Sequence, residues 1–121
     1  MRLHKAIWPN VDYIRSIKIK STTFSSFVEE NHIDIERYQA LVLDTQGSEL
    51  LVLKGCGQYL NKLKYIKTEV PNFESYSGCC QLKELSSFLL KYGFIELKRE
   101  LFAQRDGIGS YFNVIYERTK V

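Results

Sequence analysis

The stretch Ala40-Leu41-Val42-Leu43-Asp44-Thr45-Gln46-Gly47-Ser48-Glu49-Leu50-Leu51-Val52-Leu53 decides how this chain folds. Its opening apolar run fits the end of a strand, Tyr38–Leu43, buried on both faces as in a parallel sheet. Asp44 stands at the carboxyl end of that strand, and Thr45-Gln46-Gly47 makes a turn. Ser48 can cap a helix running through Leu53, with Glu49 in the first turn, where the helix dipole favours an acid. Gly55 and Gly57 interrupt the helix, and a further turn carries Tyr59, Leu60 and Leu63. Tyr65–Val70 reads as a second strand, stopped by Pro71. About twenty residues containing a helix lie between the two strands, as a right-handed parallel crossover requires.

Upstream, Ile17-Lys18-Ile19-Lys20 alternates apolar and charged residues, the pattern of a short strand with one wet face. Thr22 and Thr23 are N-cap candidates for a helix over Phe24–Asn31, in which Phe24, Phe27 and Val28 share one face. Asn31-His32 ends that helix, so His32 reads as a helix-end residue. Residues 1–15 are irregular, with a turn at Pro9-Asn10. Downstream, Asn72–Cys80 is a loop. Gln81–Tyr92 is a helix with Leu82, Leu85, Phe88 and Leu89 in one stripe, followed by Gly93. Phe94–Phe102 and Tyr111–Arg118 are strands joined by the polar Ala103–Ser110, which contains Gly107 and Gly109, and this predicts an antiparallel hairpin. The class is α/β: a parallel pair extended by a hairpin. A doubly wound sheet needs more strands on the far side of Tyr38–Leu43, and this sequence does not supply them.

The 121 residues suffice for a single domain, 1–121, and the net charge of +3 is mild. Basic residues are scattered rather than gathered into a patch, which argues against a nucleic-acid partner. No apolar run approaches the roughly 20 residues that a membrane helix needs. Met1–Trp8 carries Arg2 and Lys5 and has no apolar core of a signal peptide. Three cysteines, two of them adjacent (Cys79 and Cys80), predict no disulfide framework and a reducing, cytoplasmic setting. No Cys or His spacing fits zinc.

Ligands of open α/β sheets bind outside the carboxyl ends of the strands. Asp44 and Glu69 both lie there, and two carboxylates facing one crevice can serve as general base or hold a cation. The competing reading makes Asp44 a helix cap and Glu69 a surface charge. The amides of Gly47, Ser48 and Glu49 open a helix and can hold an anion, a weak signal shared by every helix start. Gly55-Cys56-Gly57 and Gly107-Ile108-Gly109 do not follow a strand and open a helix, so neither is a phosphate loop. No G-x-S-x-G occurs, and Cys79 and Cys80 have no assignable base.

The motif Leu41-Val-Leu-Asp44-Thr-Gln46-Gly47-Ser-Glu49-Leu-Leu-Val-Leu-Lys54-Gly55 resembles the hallmark of FkbM-type methyltransferases. Thr22–Asp34 resembles the helix preceding this strand in the family, Tyr65–Val70 its next strand, and Tyr76-Ser-Gly78-Cys79 with Leu82–Phe94 its next loop and helix. The likeness runs over residues 17–118. It implies a partial Rossmann-like (class I methyltransferase) sheet whose first half, with the glycine-rich turn and the ribose-binding acid, is missing. It further implies S-adenosylmethionine as cofactor and O-methyl transfer to a small molecule or sugar. Asp44 and Glu69 would then be catalytic, Asp44, Gln46 and Gly47 would lie against the cofactor, and Glu49 would help hold the turn and helix. Ser48 replaces the usual alanine, and Val42 occupies a position that is often polar. The chain is expected to be inactive alone. It needs the missing N-terminal half or, as an alternative role, pairs with a copy of itself through its exposed sheet edge.

Overall fold

The computed structural model describes residues 10, 12–75 and 77–119. Among these residues, three helices, two short 3-10 turns and four strands alternate. Helix α1 (Phe24–Glu30) starts at Thr23, whose side chain accepts a hydrogen bond from the Ser26 amide at 3.0 Å, and ends at Asn31. Strand β1 is Ala40–Leu43, shorter than the expected Tyr38–Leu43. Helix α2 (Glu49–Cys56) passes into a 3-10 turn at Gly57–Asn61, and β2 is Tyr65–Pro71. Helix α3 (Leu82–Leu90) has a capping box between Gln81 and Glu84. Strands β3 (Phe94–Arg105) and β4 (Gly109–Arg118) are both longer than the sequence pattern implies.

The sheet order is β1-β2-β4-β3. β1 and β2 are parallel, with Leu41 opposite Ile66 and Leu43 opposite Thr68. β4 runs antiparallel to both β2 and β3, so the second strand of the hairpin is inserted beside the parallel pair. The register of β3 on β4 shifts twice, between Glu96 and Lys98 and between Leu101 and Ala103.

Strand alternation sorts the side chains onto two unlike faces. Leu43, Ile66, Val70, Val114 and Tyr116 point into one core with Leu53 and Cys56 of α2 and Leu82, Leu85 and Leu89 of α3. Val42, Lys67 and Glu69 alternate onto the opposite face. Val42 is 67% exposed, so β1 is not buried on both faces as its apolar run suggested. Helices cover one side of this sheet only among the described residues.

Two further expectations are corrected. Ile17–Lys20 forms no strand: it is exposed and takes no place in the sheet. An alternating sequence becomes a strand only where a neighbour takes its backbone hydrogen bonds. Ser48 occupies the N-cap of α2, yet its side chain makes no capping bond. Asn10 lies in a turn, whereas Pro9, the stretch Met1–Trp8 and Tyr76 fall outside the described residues.

Candidate active site

β1 and β2 are parallel, so their carboxyl ends lie together, and the residues just past or within those ends meet. Asp44, directly after β1, and Glu69, near the end of β2, line one crevice of about 190 Å³ with Val42, Lys67, Thr68 and Asn113. Asn113 enters because β4 sets it directly opposite Glu69. It was not evident in the sequence, since strand order cannot be read from strand pattern. Lys67 was more accessible to reasoning, because alternation places it on the same face as Glu69.

The turn between β1 and α2 is strained. Gln46 has φ of 56°, a left-handed conformation that costs a non-glycine residue about 1–2 kcal/mol, and Gly47 follows at 109°. Glu49 offsets this cost. Although it sits in the first turn of a helix, it is only 1% exposed. One carboxylate oxygen accepts from the Thr45 amide and the Thr45 hydroxyl, each at 2.6 Å. The other accepts from the Gly47 amide at 3.0 Å and faces the Cys80 thiol at 3.8 Å. The loop after β2 joins the same cluster through the Cys80 amide, which donates to the Gly47 carbonyl at 3.2 Å. The anchored turn lets Gln46 donate from Nε2 to Asp44 Oδ1 at 3.1 Å.

Each residue singled out in the sequence therefore has a definite place. Asp44 and Glu69 share the crevice, and Gln46 joins them through Asp44. Gly47 lines a different cavity, of about 220 Å³, with Leu50, Lys54, Cys80 and Glu84. Its amide is engaged by Glu49 and is not offered to an outside anion. Cys80 is a buried thiol pushed up to about 11, chiefly by burial, so it serves as a protonated neighbour of Glu49. Among the described residues, no group of three or more His, Cys, Asp or Glu side chains is placed to hold a metal ion.

The Glu69 carboxyl is raised above its ordinary range by burial first, then by the charges of Asp44 and Glu49. A carboxyl whose pKa is raised by folding binds its proton more tightly in the folded state. Its contribution to stability is present at low pH and lost as pH rises from the ordinary glutamate range through the raised value. Asp44→Asn is expected to bring the Glu69 titration down towards the ordinary range, read by carboxyl carbon NMR. An unmoved Glu69 titration would show that the two groups do not sense each other across the crevice.

The crevice is below the roughly 300–1,000 Å³ of a typical small-molecule site. Its residues can form one wall for a nucleotide-like cofactor. The described residues supply no glycine-rich turn between a strand and a helix, and no acid at the end of a further parallel strand to take a ribose. They do not hold such a group by themselves.

No helix among the described residues is long and apolar enough to cross a membrane. Comparison with curated proteins and with solved structures returned no match. The methyltransferase FkbM domain, by contrast, matches residues 3–96, from upstream of α1 to the start of β3. The matched region contains the Asp44 turn, Glu49 and Glu69, although Asn113 and the rest of the hairpin lie beyond it. On that match, over most of its length and across both halves of the parallel pair, the chain belongs to the FkbM methyltransferase-domain family.

Proposed function

We propose that this chain forms the acceptor-side half of a Rossmann-like class I methyltransferase sheet, serving O-methyl transfer to a small molecule or sugar. The observation that carries the reading is the convergence of Asp44, Glu69 and Asn113 at the carboxyl ends of a parallel pair. Membership of the family implies an S-adenosylmethionine-type cofactor. Asp44 is exposed and oriented by Gln46, which suits it to accept the proton of an acceptor hydroxyl. The Glu69 carboxyl and the Asn113 side-chain amide, set opposite each other in the crevice, can hydrogen-bond the acceptor's hydroxyl groups. Three free, buried cysteines suit a reducing compartment such as the cytoplasm.

Because the described residues supply only one wall for a cofactor, the 121-residue chain alone is proposed to be inactive. Isothermal titration of this chain with S-adenosylhomocysteine should give no heat at millimolar ligand. Micromolar binding, about −8 kcal/mol, would overturn the proposed inactivity. Supplied with a strand–glycine turn–helix half in trans, the chain should gain activity that Asp44→Asn lowers at least tenfold. Full activity of that variant would remove Asp44 from the mechanism. A second reading, a non-enzymatic module that pairs through its sheet edge, draws on the exposure of β1 and predicts no gain in the same complementation.

A further inference from the structure

β1 is the terminal strand of the sheet among the described residues, and its outer edge borders an apolar groove of about 280 Å³. Phe27, Ile33, Tyr38 and Leu41 line the groove, with Phe27 48% and Tyr38 55% exposed. An edge of this kind, apolar and free of lysine or proline in Ala40–Leu43, is a template for another strand.

The same molecule carries a segment of matching character. Tyr13–Lys20 lies outside any helix or strand and is exposed throughout, with Ile14 97%, Ile17 73% and Ile19 80% accessible. Alternation places Ile17 and Ile19 on one side of this arm and Lys18 and Lys20 on the other. Ile17–Lys20 also matches in length the four residues of β1.

The charges are complementary. Residues 13–20 carry Arg15, Lys18 and Lys20 and no acid. The crevice beside Val42 carries Asp44 and Glu69 against Lys67, and Glu29, Glu30 and Asp34 on and after α1 add further negative charge, Glu36 being paired with Lys62. An arm laid along β1 would set Ile17 and Ile19 over the groove and its lysines beside Val42 and Asp44.

We infer that the arm of one copy adds as a strand to the β1 edge of a second copy, and that the exchange is reciprocal, giving a homodimer. The inference does not depend on methyl transfer. The wild-type chain should scatter light as twice the chain mass at about 100 µM, within the affinity range of modest interfaces. I17K/I19K places charge where apolar burial is needed and should weaken self-association about tenfold or more. Both positions are exposed, so its far-UV circular dichroism and melting should be unchanged. The geometry is tested by mixing a Lys18→Cys chain with a differently tagged Val42→Cys chain under oxidised glutathione. The native cysteines are all buried, so a disulfide between the two tagged chains reports arm against β1. A strictly monomeric wild-type chain overturns the inference. So does a dimer that forms no disulfide between the two variants, or one that I17K/I19K leaves intact.

Discussion

Glu49→Ala should cost the fold about 3–5 kcal/mol, a large part of the stability of a domain this size. The variant removes the shared acceptor of the Thr45 amide, the Thr45 hydroxyl and the Gly47 amide. Unmade hydrogen bonds at partly buried donors cost about 1–3 kcal/mol each, less than additively. The left-handed Gln46 then loses what holds it, and the turn is free to relax. A fall in Tm of about 10–20 °C follows from the usual enthalpy of such a chain. Glu49→Gln keeps the volume and one acceptor oxygen but aims an amide at the same N–H donors, so it should fall between wild type and alanine. Thermal melts followed by circular dichroism measure both. A Glu49→Ala chain melting within about 2 °C of wild type would mean that the turn is held by something other than this carboxylate.

The second large effect is at Gly109, where β4 begins. Its φ of 146° lies in the region that disfavours a side chain, and an added Cβ would stand 2.6 Å from Phe73 Cδ1 and 2.7 Å from Asn72 Oδ1. Those neighbours are themselves committed. Asn72 Oδ1 accepts from the Ser110 amide at 2.9 Å, and the Asn72 amide donates to the Ser110 carbonyl at 3.0 Å. The Phe73 ring meets Tyr111 edge-on, with centroids 5.3 Å apart. Gly109→Ala must break this clasp, and we expect a loss of about 2–4 kcal/mol together with faster exchange of the Ser110 amide. Gly107→Ala is the control. Its φ of 78° is also unfavourable, but an added Cβ meets nothing within 4 Å, so only about 1 kcal/mol of backbone strain is expected. Equal effects at the two glycines would show that the clash is relieved without moving Asn72.

The parallel pair was readable because its signals are local: an apolar run ending at Asp44, a helix, and a strand stopped by Pro71. That was enough to place Asp44 and Glu69 at one end of the sheet. The two hairpin strands carry no comparable mark of position. Nothing in Phe94–Arg105 or Gly109–Arg118 tells which lies next to β2, so Asn113 stayed hidden. From its position Glu49 read as an acid favoured by the helix dipole, and only the family resemblance assigned it to holding the turn, as its bonds to Thr45 and Gly47 do. Its burial follows from Thr45 and Gly47 folding back over it, a consequence of the turn rather than of the helix. Val42 is the opposite case. Its apolar neighbours suggested enclosure, but a side chain on β1 is covered only where a helix or a further strand lies over it.

The two borders of the sheet differ in a way that limits assembly. β3, the far border among the described residues, presents Glu96, Lys98, Arg99 and Glu100 as well as the exposed Ile95, Leu97, Leu101 and Phe102, and its pairing with β4 shifts register twice. Charges and irregular pairing disfavour an incoming strand there, whereas Ala40–Leu43 carries neither. In the proposed dimer each copy gives one arm and takes one, so the exchange closes on itself. Once two chains have exchanged arms, both receptive sides are consumed, and growth stops at a closed pair instead of continuing into a fibre.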